Sequence, residues 1–180
     1  MQKKLTFNKA VVALSVVCVA TAAVWYWQSG ADERIFNKHF EHVGNEVFMT
    51  LRSAEEAANG SSNQADADLQ QAVQNYDAKR YEASLASFKK YFQKNPEDIN
   101  AIFLAGMAAL EIADTENAIH YLNVVRINAM DEYYEPSSWN LALAYLKANN
   151  ELEAKFLLEE IAEQPQSAYA AKAKDVLARL

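Results

Sequence analysis

One spacing constrains this chain more than any other. A small residue is followed twelve positions later by a second small residue, and four later by a bulky apolar one. The set occurs as Ala72, Ser84, Phe88, as Gly106, Ala118, Leu122, and as Ala142, Ala154, Leu158. The first two sets lie 34 residues apart and the last two 36 apart. A period of about 34 residues is the length of one helix–turn–helix unit in a stacked array. In such a unit two antiparallel helices approach closely, so the facing positions need small side chains. The bulky residue then fills the space between units. One pair cannot bury its own apolar face, so neighbours stack and share a core.

The remaining composition agrees with helices throughout. The 180 residues include only 4 Gly and 3 Pro, against average usage of about 7% and 5%. No stretch alternates apolar and polar residues with a period of two, so strands are not expected. "DAKR" (Asp77–Arg80), "ADTEN" (Ala113–Asn117) and "ANNE" (Ala148–Glu151) fall between the paired helices and offer Asp, Asn or Thr as caps. After the third pair, Tyr169, Ala173, Val176, Leu177 and Leu180 form one apolar stripe. Lys172, Lys174, Asp175 and Arg179 lie off it. That reads as a terminal capping helix with one solvated face.

With these residues in place, the chain resembles the tetratricopeptide repeat (TPR) family. "YEASLASFKKYFQKNPED" (Tyr81–Asp98) is similar to the second helix and following turn of a repeat. "LALAYLKANNELEA" (Leu141–Ala154) is similar to the first helix through to the next small position. Tyr91, Val125 and Ile161 stand where the family usually has alanine, and only the first repeat ends in its proline, Pro96. The resemblance implies an all-α fold: a short α-solenoid of about three helix pairs plus the capping helix, over residues 66–180. It also implies a concave groove lined by the first helix of each pair. The matching positions are Leu69, Val73 and Tyr76, then Phe103, Met107 and Leu110, then Trp139, Leu143 and Leu146. The same stripe reads equally as core. It lacks the Lys/Asn/Arg set with which some family members clamp a terminal carboxylate, so an amphipathic helix or extended apolar peptide suits it better.

The N-terminal third has a different character. Residues 1–9 form a short basic tail with Lys3, Lys4 and Lys9. Residues 10–27, "AVVALSVVCVATAAVWYW", carry no charge. As a helix they would extend about 27 Å, close to the hydrocarbon thickness of a bilayer. Lysines precede this run and Trp25, Tyr26 and Trp27 end it. Both features predict a single transmembrane helix with a cytoplasmic N-terminus and a periplasmic or otherwise extracytoplasmic body. The alternative is an exported soluble domain cleaved near Ala22 at the small-x-small site Ala20-Thr21-Ala22. Residues 28–65 read as a membrane-proximal segment and a linker around Gly60. Ile35, Phe36, Phe40 and Val43 in it fall at helix-like spacings. So many apolar residues are out of place in a solvated linker. Phe36 and Phe40 are therefore expected to dock in the chain's own groove.

Charge excludes one class of partner. The first 30 residues contain three lysines and no acid, so the rest of the chain is more acidic than the net −7 suggests. An acidic body repels phosphate backbones, and no nucleic-acid partner is expected. The lone cysteine, Cys18, permits no intrachain disulfide. No cofactor or catalytic set is expected. The one enzymatic alternative is a metal site on His39 and His42, three apart and beside Glu41 and Glu46. The expected function is an extracytoplasmic scaffold at the cell envelope, holding a protein or peptide partner or associating with itself.

Overall fold

In a computed structural model, residues 30–44, 67–128 and 133–180 are described, and all of their regular structure is helical. Helix α1 spans Ala31–His39. It is followed by α2 (Ala67–Asp77), α3 (Tyr81–Tyr91), α4 (Ile99–Glu111), α5 (Thr115–Asn128), α6 (Tyr134–Lys147), α7 (Glu151–Ala162) and α8 (Ala170–Leu177). The expected membrane span at 10–27 and the linker around Gly60 lie outside the described residues. Among the described residues, no helix is long and apolar enough to cross a membrane.

From α2 onward each helix packs on the next in the chain. Three-residue connections join α2 to α3, α4 to α5 and α6 to α7, and connections this short make the joined helices antiparallel. The second helix of each hairpin then packs on the first helix of the following one, and α8 closes on α7. α4 and α6, the first helices of successive hairpins, also touch. The chain thus advances hairpin by hairpin around one continuous core.

All three hairpin turns have the same backbone. Lys79, Ala113 and Asn149 have φ of 55, 56 and 56°. In each turn this residue's N–H donates to the carbonyl three before it: Tyr76, Leu110 and Leu146. The next N–H donates to the carbonyl five before it: Asn75, Ala109 and Tyr145. This paired closure ends a helix with a left-handed residue and satisfies its last carbonyls. The turns recur at the spacing of the small residues. Side-chain capping is less uniform than the sequence suggests. Asp114 accepts from the Asn117 backbone N–H at 3.2 Å, and Asp98 accepts from that of Ala101 at 2.9 Å. Asn150 and Arg80 make no side-chain cap, so the backbone closure carries those two turns.

The small positions mark where helices touch most closely. Ala72, Ser84, Ala118, Ala142 and Ala154 are fully buried, as are Phe88, Leu122 and Leu158. Ser84 Oγ donates to the Ala72 carbonyl at 2.8 Å, which ties α3 to the backbone of α2. At Gly106 a Cβ would stand 2.9 Å from Leu122 Cγ and 3.4 Å from Tyr121 Cβ. The clash falls on a branched carbon near the backbone of a fully buried residue, which cannot swing aside.

Two substitutions test this geometry in opposite directions. Gly106→Ala gains up to about 1 kcal/mol of helix propensity but overpacks the α4–α5 contact by about 1–3 kcal/mol. Urea unfolding should therefore show a net loss on the order of 1 kcal/mol. Ala113→Gly removes a left-handed strain of about 1–2 kcal/mol against a chain-entropy cost of about 0.4–1 kcal/mol. It should stabilise the chain by roughly half a kcal/mol, while Asn149→Gly should be near neutral.

Candidate functional site

The apolar stripe along α2, α4 and α6 is covered. Leu69, Tyr76, Phe103, Met107, Leu110, Trp139, Leu143 and Leu146 are all buried, and Val73 is half-buried. Part of the cover is the residues that cap the starts of α6 and α8: Phe103 packs on Tyr133 with ring centroids 5.0 Å apart, and Trp139 stacks on Tyr169 at 5.4 Å. The rest is the segment 30–44, which lies across the stripe.

Helix α1 packs against α6. Glu33 Oε1 accepts from Lys147 Nζ, at the C-terminal end of α6, at 3.0 Å. The His39 ring meets Trp139, near the start of α6, at 6.1 Å. α1 therefore runs antiparallel to α6. Ile35 and Phe36 are buried at 6% and 5% exposure and join the common core. Phe40 stacks on Phe36 at 4.9 Å, and the Lys147 ammonium sits over the Phe36 ring at 5.0 Å. The structure thus brings Phe36 and Phe40 together with the groove stripe.

The helix is shorter than the spacing of its apolar residues suggests. α1 ends at His39, and Phe40 is already extended, with ψ 125°. Phe40 and Val43 therefore reach the core from extended chain, packed against it rather than on a helical face. The extended stretch carries the segment from α6 over to α4 and α2. His42 Nδ1 lies 2.6 Å from Glu111 Oε1 at the end of α4. The His42 ring stacks on Tyr76 at 5.5 Å. Tyr76 Oη donates to the Val43 carbonyl at 2.8 Å, so a buried groove residue holds the segment's backbone directly. Burial pushes the Tyr76 phenol far above its ordinary pKa, so it stays a donor at any physiological pH.

This geometry bears on the metal alternative and corrects one expectation. His39 and His42 do not share a helical face, because the helix stops between them. One faces Trp139 and Asp175; the other faces Glu111 and Tyr76. Among the described residues no group of three His, Cys, Asp or Glu side chains converges, and Glu46 lies outside them. Nor is the charged side of α8 simply a solvated cap. Lys38 Nζ donates to Asp175 Oδ2 at 2.8 Å, and Lys172 Nζ donates to Glu41 Oε1 at 2.7 Å. The charges of α8 hold the segment from the far side. Lys147, Lys172, Asp175 and Glu111 were not legible as site residues. The signal that could have found them is the charge order of the segment itself, acid at 33 and 41 and base at 38.

Magnitudes divide the labour at this site. Burying Ile35 and Phe36 contributes about 1.5–3 kcal/mol each. The exposed ion pairs, screened by solvent, contribute much less. The apolar anchors hold the segment down and the ion pairs set its register. On the other side of α6, Leu152 and Phe156 stand 77% and 67% exposed beside a pocket of about 390 Å³ lined also by Asn123, Arg126 and Tyr145.

No protein-family model, curated protein or solved structure matches the chain. The class defined by the geometry is an all-α chain of successive hairpins whose inner stripe carries a short segment of the same polypeptide.

His39 gives the site a pH dependence. Its ring is buried, and Nε2 lies 3.3 Å from Asp175 Oδ2 without hydrogen-bond geometry. Burial first, then Lys38, pushes its pKa below 6.5; Arg179 and Lys172 act the same way and Asp175 opposes them. A depressed pKa means the unfolded or undocked ring takes its proton first. Docking strength is then complete above about pH 6.5 and falls as the pH drops below it. The Arg179 and then the Lys38 partner hold the Asp175 carboxyl well below the usual range, so those pairs persist to stronger acid. Amide exchange of residues 30–44, corrected for intrinsic rates, should quicken between pH 7 and 5. The His39→Phe chain should lose most of that change.

Proposed function

We propose that the chain is a membrane-anchored scaffold of the TPR type, with three helix pairs and a closing helix on the extracytoplasmic side of a membrane. Its groove holds a short helical or extended segment of a protein partner close to the bilayer. The observation that carries this reading is the segment 30–44. It lies along the stripe of Tyr76 and Trp139, anchored by Phe36 and paired at both ends. A groove that accommodates one amphipathic segment has the shape and chemistry to accept another.

Three further features support the reading. The small positions and the left-handed turns share one period, as repeated units require. The uncharged run at 10–27, preceded by lysines and ended by aromatics, suits a single span. Phe36 follows that run by fewer than ten residues, which places the groove's occupied end next to the membrane under this reading. The chain would act by binding, without catalysis, and nucleic acid would not be its partner.

Alkaline carbonate should leave the chain in the membrane fraction, and protease added outside the cytoplasmic membrane should digest its body. Release by carbonate, with a mature N-terminus near residue 23, would replace the anchor with an exported soluble domain. Affinity capture after mild detergent extraction should recover a stoichiometric protein partner or an oligomer. Recovery of neither would overturn the scaffold reading.

A further inference from the structure

The segment 30–44 offers more than a lid, because its fit defines a ligand. Its contacts form an ordered set. Glu33 pairs with Lys147, Lys38 with Asp175, Glu41 with Lys172 and His42 with Glu111, at 3.0, 2.8, 2.7 and 2.6 Å. The groove thus presents base, acid, base and acid to a segment carrying acid, base, acid and histidine. Between these pairs sit Phe36 and Phe40, one helical turn apart, and beyond them Tyr76 grips the backbone at Val43. Residues 45–66 separate the segment from α2. Side-chain and backbone contacts hold the segment in place.

One position fits poorly. His39 is buried with Nε2 off hydrogen-bond geometry, and Asp175 beside it is already engaged by Lys38 and Arg179. Nε2 stays 3.3 Å from Asp175 Oδ2 without hydrogen-bond geometry, and a buried polar atom so poorly paired weakens an interface where an apolar group of the same shape does not. The chain's own segment is therefore a weaker occupant than the groove allows, which leaves room for displacement.

We propose that residues 30–44 are a built-in competitor that carries the recognition pattern of the partner. The groove then takes from its partner protein a short amphipathic segment of defined pattern. It has two aromatic residues four apart, an acid three before the first, a base two after the first and an acid directly after the second. This rests on the groove reading above and names the partner's chemistry. At an effective concentration on the order of 1 mM for a tethered segment, a separated segment binding at about 10 μM would be suppressed about 100-fold by its tethered copy.

The test uses the full-length chain in mild detergent and a fluorescent synthetic peptide of residues 30–44. A chain carrying Phe36→Ser and Phe40→Ser should bind the peptide at micromolar concentration. The unaltered chain should bind it at least about 10-fold more weakly. A peptide with Phe36→Ser should lose at least about 10-fold. Because the serine chain could unfold, Glu33→Lys with Lys38→Glu provides a second, partly opened chain, in which Lys147 and Asp175 repel the segment while its apolar anchors stay. It too should bind the unaltered peptide more tightly than the parent chain does. No binding to either opened chain while helicity is retained overturns the proposal. So does equal binding by opened and unaltered chains, or indifference of the peptide to Phe36→Ser. Elution of the unaltered chain as a segment-exchanged dimer would make a second copy the occupant and overturn it as well. If the peptide fails but affinity capture still recovers a partner, the scaffold reading stands and this inference falls.

Discussion

The close approach of paired helices is the constraint on which the rest of this structure depends. At Gly106 the backbone of α4 comes so near Leu122 that there is no room for a methyl group. At the first hairpin the approach is tight enough for Ser84 to reach the Ala72 carbonyl. Helices packed this closely leave little freedom in how the next hairpin sits, because each bulky residue that follows must fill a fixed gap. Phe88, Leu122 and Leu158 do so at full burial. The identical left-handed turns then set the direction of each returning helix. Regular packing follows from local geometry repeated, not from any single strong contact.

That regularity generates the apolar stripe. When first helices line up on one side, their inward apolar residues form a continuous stripe that the hairpins alone cannot cover. The segment around α1 resolves this in part: it buries Ile35 and Phe36 and brings His39 over Trp139. Its polar pairs reach three different elements, α4, α6 and α8, so it also ties them together. Docking of the segment and stability of the core are coupled here through the same apolar surface.

Much of the fold was legible because it rests on short-range rules. Small residues at a 34-residue period, few glycines and prolines, and polar turn residues identified the hairpins. The apolar stripe of α8 also followed from spacing, with Ala173 and Val176 fully buried. The site was legible only in part. The unusual aromatic content of residues 36–40 pointed to docking, but its apolar spacing suggested a longer helix than the one that ends at His39. The charged residues of α8 read as solvated because a charge pattern alone does not reveal what will lie across it. Lys172 and Asp175 meet Glu41 and Lys38 from more than a hundred positions away.

By itself, then, the sequence determined that the hairpin region is helical, where its hairpins turn and which residues must be small. These depend on contacts within a turn or between adjacent helices, and adjacent helices are neighbours in the chain. Only the tertiary structure decided which surface receives the segment 30–44, where its helix stops, and which way His39 and His42 face. Those outcomes depend on surfaces built from four separate helices. No local pattern encodes a contact whose two halves exist only after the hairpins have stacked.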